Sequence, residues 1–155
     1  MKTQTKKLLL ALALPLAVGG LATLLSGGME LYKDLNQPPL SPPGWVFPVV
    51  WTVLYLLMGY SSYRMAVADA PAQLRKQALF AYGLQLAVNF LWPIIFFGGK
   101  LFLTAFFLLL ALWLLILWTI FRFTKVDETA ADLLLPYLLW VSFALYLNLG
   151  VFLLN

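Results

Sequence analysis

The chain contains neither histidine nor cysteine. Zinc sites of Cys and His, haem held by a proximal His or thiolate, thiol catalysis and any triad that needs His are therefore excluded. Disulfides are excluded too, and no metal site is expected. What remains is aromatic and amide chemistry at helical spacing. Phe47, Trp51 and Tyr55 fall at i, i+4 and i+8; Gln85, Asn89 and Trp92 at i, i+4 and i+7; Trp140, Ala144 and Asn148 again at i, i+4 and i+8. On three helices these become three stripes, each setting flat apolar surface beside a small or hydrogen-bonding residue. Aromatic faces stack on flat apolar ligands. Asn and Gln in hydrocarbon face a bundle interior, where they can be bonded. A plainer reading gives the same residues to packing and to the belts of Trp and Tyr at membrane–water interfaces. Trp45, Trp118 and Tyr137, near span ends, fit such belts. Trp51, Trp92 and Trp140 lie a turn or more inside. Asn89 also suits a contact between helices.

These stripes need helices to carry them. The 155 residues are 63% hydrophobic and 10% charged, against about 25% charged for a soluble domain. Charge-free windows at 8–29, 35–63, 77–99, 101–121 and 133–155 are each at least 21 residues long, and a spanning helix needs about 20. The expectation is an all-α membrane protein. One domain over 1–155 holds a five-helix bundle with spans at about 8–26, 45–66, 76–97, 101–123 and 132–153. Barrel strands would alternate instead. The net charge of +4 reports orientation and not a nucleic-acid partner. Lys2, Lys6, Lys7, Arg64, Arg75, Lys76, Arg122 and Lys125 fall on one side; Lys33 and Lys100 fall on the other. The positive-inside rule places the N-terminus in the cytoplasm and the C-terminus outside. A cleaved signal peptide is the rival for the first segment, but its apolar run continues to Leu25 and no clear cleavage site ends it.

The long connection at about 27–44, "GGMELYKDLNQPPLSPPG", is the unusual one. Loops of this length are uncommon unless functional. Pro38, Pro39, Pro42 and Pro43 lower its chain entropy, and Leu31, Tyr32 and Leu35 are spaced to be buried by one helical turn. It reads either as a shaped cover or as a rigid connector. Pro48 falls in a first helical turn, where its missing N–H costs nothing. Pro136 is tolerated near the start of the last span, Pro93 should kink the third, and Pro15 bears on the first. Gly83 and Ala87, Ala13 and Ala17, and Gly19 and Thr23 are small-xxx-small pairs that allow close helix approach.

The pattern P-x3-PP-x-W-x-F-x3-W-x2-LY at 38–55, then N-x2-W at 89–92 and PY-x2-W at 136–140, resembles the translocator protein family, also called tryptophan-rich sensory proteins or peripheral-type benzodiazepine receptors. The likeness covers almost the whole chain and includes Pro15 and Gly19. It implies a five-helix bundle that dimerises, with a cavity closed by the first loop. It implies protoporphyrin IX or another tetrapyrrole, sterol-like lipids and benzodiazepine-site drugs as ligands, with no bound cofactor. The implied ligand residues are Tyr32, Pro42, Phe47, Trp51, Tyr55, Asn89, Trp92, Trp140, Ala144 and Asn148. Some relatives are proposed to degrade protoporphyrin in light and oxygen; Trp51 and Trp140 would be the catalytic pair if this chain does so. A porphyrin or sterol transporter is a further alternative, disfavoured because there is no intramembrane charge and no inverted repeat.

Two departures matter. A sterol motif on the fifth span of some members needs a basic residue, and this chain has no Lys or Arg after Lys125. Leu40 stands where many relatives have Trp. The loop keeps one cation, Lys33, for a porphyrin propionate.

Overall fold

A computed structural model describes residues 2–155. These residues are nearly all helical, with no strand among them. α1 is Thr3–Ser26, α2 Glu30–Asp34, α3 Val46–Val67, α4 Ala72–Pro93, α5 Phe102–Thr124, α6 Glu128–Asp132 and α7 Leu135–Leu154, with a π-helical turn at Ile94–Gly98. Five stretches are long and apolar enough to cross a membrane: Thr3–Ser26, Val46–Val67, Ala72–Gly98, Phe102–Thr124 and Glu128–Leu154.

They overlie the five expected spans, and the ends that differ have physical reasons. The first helix begins at Thr3 and not near residue 8, because Lys6 and Lys7 are good helix formers whose stems let the charges reach water. It runs through Pro15 unbroken. The fifth span begins at Glu128 and comes in two pieces. The Asp127 carboxylate accepts the N–H groups of Thr129 and Ala130 and so caps α6; α7 restarts with Pro136 in its first turn. Pro93 lacks an N–H and crowds the carbonyl one turn before it. The helix ladder is reset there into the π-turn, where the Gly99 N–H reaches the Ile94 carbonyl.

Between helices in lipid there is no hydrophobic driving force, so close packing and polar contacts must hold them. α4 lies on α5, α1 on α3 and α5 on α7. The half of the bundle nearer the N-terminus is solid: Met58, Met65, Ala78, Ala81, Ile116, Phe123, Ala130 and Ala131 are all buried. Polar clasps close this end. The Ser61 hydroxyl donates to the Ala130 carbonyl, Arg122 donates to the Gln77 amide oxygen, and the Arg64 guanidinium meets Asp127 at 2.7 Å. Of the small-residue pairs, Gly83 with Ala87 and Ala13 with Ala17 point away from the bundle, and a methyl group on Gly83 would touch nothing within 4 Å.

The opposite end carries the proline hook, which lies against α7. Pro38 fits the notch left by Gly150, where a Cβ would collide with the proline ring. The Tyr146 hydroxyl donates to the Pro39 carbonyl. Asn36 and Asn155 pair through backbone and amide groups. All four proline carbonyls of the hook are bonded: Pro38 by Ser41, Pro39 by Tyr146, Pro42 by the Tyr32 hydroxyl and Pro43 by the Val46 N–H. The prolines themselves bring no N–H to satisfy. An extended chain can thus lie beside a membrane helix without a strand partner.

The clasp at the other end yields a pH prediction. Hydrogen bonding from Arg64 holds the Asp127 carboxyl below its ordinary value of 3.8. A lowered carboxyl pKa stabilises the fold above that ordinary value, and the gain is lost as pH falls through the lowered one. Asp127→Asn keeps a capping side chain and removes the charge, so its thermal stability should fall less steeply than the parent's below about pH 4. Asp127→Ala should be less stable again by about 1 kcal/mol, the worth of the cap. Thermal unfolding in detergent across pH measures both.

Candidate ligand cavity

At the hook end the bundle is hollow. A cavity of about 160 Å³ lies between α1, α2, α3, α4, the π-turn, α5 and α7. Its aromatic walls are Tyr32, Phe47, Trp51, Tyr55, Trp92, Phe96 and Phe97, and no charged side chain lines it. The rings brace one another. Tyr32 meets Phe47 edge-on at 5.0 Å, Trp51 tilts against Tyr55 at 5.5 Å, and Trp92 stacks on Phe96 at 5.1 Å. Such pairs hold a preformed slot open, because edge-to-face and offset geometries suit the ring quadrupoles.

Two polar ladders stiffen the walls. In the first, the Tyr55 hydroxyl donates to Asn89 Oδ1, Asn89 Nδ2 donates to the Tyr137 hydroxyl oxygen, and Tyr137 donates to Gln85 Oε1, at 2.8, 2.8 and 2.7 Å. In the second, the Trp92 indole N–H donates to Asn148 Oδ1 at 3.0 Å and Asn148 Nδ2 donates to the Phe102 carbonyl. Asn89 and Asn148 each bond through both ends of the amide and are thereby oriented. Asn89 is both things the sequence offered: it joins α3, α4 and α7, and it faces the cavity.

The structure brings together eight of the ten residues marked from sequence: Tyr32, Phe47, Trp51, Tyr55, Asn89, Trp92, Ala144 and Asn148 line the cavity. Pro42 does not; its carbonyl receives the Tyr32 hydroxyl and so fixes a wall from behind. Trp140 does not either. It stands on the far side of Phe47, ring centroids 5.8 Å apart, and faces a separate groove between α3 and α7. Tyr137 corrects the belt reading. It is 1% exposed and sits at the centre of the first ladder. Its place near the start of α7 misled because α6 extends the fifth span toward the N-terminal side, so Tyr137 lies well inside. Trp45, at the start of α3, is 68% exposed and stays outside the core.

Sequence reasoning missed the share of α1 in the cavity. Gly19, Thr23 and Ser26 line it, and their i, i+4, i+7 spacing was the available signal. Gly19 lets Tyr55 lie flat on α1, since a Cβ there would collide with the ring. The loop contributes Gly28 and Met29 as well as Tyr32. Gly27 and Gly28 both have positive φ, 85° and 81°, which glycine adopts at little cost. The chain can therefore reverse at the end of α1 and lay α2 over the cavity. Leu31 and Leu35, expected to be buried with Tyr32, are only partly covered.

The sequence has relatives among known proteins. The TspO/MBR family model matches residues 11–154. The chain belongs to the TspO/MBR family. It is 40% identical over 126 residues to the tryptophan-rich sensory protein of Cereibacter sphaeroides, covering 81% of this chain and 77% of that one. It is 34% identical over 157 residues to the tryptophan-rich protein TspO of Chlorobaculum tepidum, covering 100% and 99%. It is 38% identical over 124 residues to the translocator protein of Ovis aries, covering 78% and 72%. As a TspO/MBR member it is a multi-pass membrane protein.

The place of Tyr137 in the ladder is open to measurement. Tyr137→Phe leaves the Asn89 amide and the Gln85 oxygen without their bonds in a buried site. The cost should be about 1–3 kcal/mol, against a few tenths for a belt residue. Equilibrium unfolding in mixed micelles distinguishes the two.

Proposed function

We propose that this TspO/MBR protein binds flat, largely apolar ligands in the cavity, with a tetrapyrrole such as protoporphyrin IX as the foremost. Sterol-like lipids and benzodiazepine-site compounds are lesser candidates. The observation that carries the reading is a slot of aromatic faces whose polar edge consists of two oriented amides, Asn89 and Asn148; at about 160 Å³ it must widen to take a whole macrocycle. Stacking suits the faces of a conjugated macrocycle. Lys33, exposed on α2 next to the cavity-lining Tyr32, is the loop's cation for a propionate. The absence of a charged lining favours the apolar ring system inside and its carboxylates outside.

Porphyrin degradation by Trp51 and Trp140 is the less favoured reading, since only Trp51 of the pair lines the cavity while Phe47 holds the position it has in this structure. In the bilayer we place the N-terminus in the cytoplasm and the hook outside, by the distribution of Lys and Arg, in a bacterial cell membrane. A second copy would pack through the open Gly83 and Ala87 face.

The segment 27–35 is the moving part of the cover and the proline half is its fixed frame. The frame is pinned to α7 by Pro38, Tyr146 and Asn155, whereas the flap turns on Gly27 and Gly28.

Titration of the purified protein with protoporphyrin IX in the dark, read by Soret absorbance, tests the ligand. Saturable binding is expected, and Trp51→Ala should weaken it roughly tenfold, near the ~1.5 kcal/mol upper worth of an aromatic contact beyond its area. Hydrogen exchange tests the cover. Bound ligand should protect amides at 29–36 strongly and leave those at 67–75 unchanged; equal protection of both would reduce the flap to a connector.

A further inference from the structure

The cavity is small for its aromatic lining. At about 160 Å³ it falls below the roughly 300–1,000 Å³ of ordinary ligand sites. Beside it, on the other face of α3, lies the groove of about 520 Å³. Val53 and Leu57 of α3 form one wall and Leu139, Trp140 and Phe143 of α7 the other. α3 packs on α1, α4 and α6, but hardly on α7. The gap lies within two membrane-spanning stretches, so it opens to lipid.

Two ring contacts between α3 and α7 separate the spaces: Trp51 meets Tyr137 edge-on at 6.2 Å in the deeper part, and Phe47 meets Trp140 nearer the hook. Phe47 lines the cavity, and its ring meets Tyr32 on one side at 5.0 Å and Trp140 on the other at 5.8 Å. Phe47 lies in the first turn of α3, where few backbone bonds hold a residue in place. Trp140 adds an independent sign. Its indole N–H is buried and has no hydrogen-bond partner, although an unmet donor in hydrocarbon is unfavourable. A ligand acceptor reaching past Phe47 would meet it.

We propose that the cavity and the α3–α7 groove are two parts of one chamber, with Phe47 as the gate between them. The gap between α3 and α7 is then the entry for a flat apolar molecule dissolved in the bilayer. This rests on the cavity being the binding site and adds the route and the second compartment. When Phe47 swings aside, the joined space reaches the ordinary range for ligand sites, and the Trp140 N–H becomes available to a carbonyl, carboxylate or ring nitrogen. The hook need not open for a ligand that arrives through lipid.

The test uses the absence of native cysteine. Ala144→Cys places a thiol in the cavity wall, at a position 7% exposed. The full chain in phosphatidylcholine vesicles is treated with N-(1-pyrenyl)maleimide, a flat reagent that partitions into the bilayer, and labelling is followed by mass spectrometry. Rates are taken relative to Leu153→Cys, whose side chain is 69% exposed. Val53→Trp and Leu139→Trp, from opposite walls of the groove and exposed at 51% and 71% in the parent, should each slow labelling by about tenfold. Phe47→Ala should speed it by roughly fivefold, as the open form becomes common. Labelling within about twofold of the Ala144→Cys parent in both tryptophan variants overturns the proposal, because the reagent then enters by the hook or past α1. So does a thiol that stays unlabelled both in the Ala144→Cys parent and when Phe47→Ala is added to it. Neither readout needs a tetrapyrrole, so a failed porphyrin titration with this labelling pattern intact would refute the ligand and keep the chamber.

Discussion

Hydrocarbon offers no hydrogen bonds, so the chain itself must satisfy its backbone groups there, and a buried side-chain amide is costly unless the chain supplies a partner. Much of this structure follows from that rule. Gln85, Asn89 and Asn148 are each at most 4% exposed, and each is tied to a partner on another element. The ties set helix positions. Tyr55, Asn89, Tyr137 and Gln85 lock α3, α4 and α7 at one depth, and Asn148 locks α7 to the start of α5 through the Phe102 carbonyl. The hook obeys the same rule by another means. Its four prolines bring no donors and its four proline carbonyls all find one. A glycine-rich loop of equal length would bring more backbone donors and lose more entropy on ordering.

The two halves of the bundle use their residues differently. Near the N-terminal end, alanine and serine let helices touch and long apolar side chains fill what is left, so the interior is closed. Near the hook end, large rings stand where small residues would have allowed closure. Rings are rigid and brace one another edge-on, so they leave a slot and do not collapse into it. The π-turn after Pro93 belongs to this half, and Phe96 and Phe97 on it face the cavity. The cavity and a stable bundle thus coexist because the solid half and its clasps carry the packing.

Much of this was legible in the sequence. A run of twenty apolar residues has few options in water or lipid, so the five spans followed from length and hydropathy. Periodicity placed Phe47, Trp51 and Tyr55 on one face, as it placed Asn89 with Trp92 and Ala144 with Asn148, because a helix of 3.6 residues per turn is rigid at that scale. Proline spacing marked the hook. Tertiary structure alone decided the rest. Tyr137 moved from a belt to the core because α6 lengthened the fifth span, a shift that depends on how Asp127 caps a turn against Arg64. Trp140 shares the stripe of Ala144 and Asn148, yet it faces the groove behind Phe47, because α7 stands away from α3 and one face of a helix can look into two spaces. The part of α1 in the cavity was invisible for the same reason. Periodicity tells which residues share a face, and only packing between helices tells what that face meets.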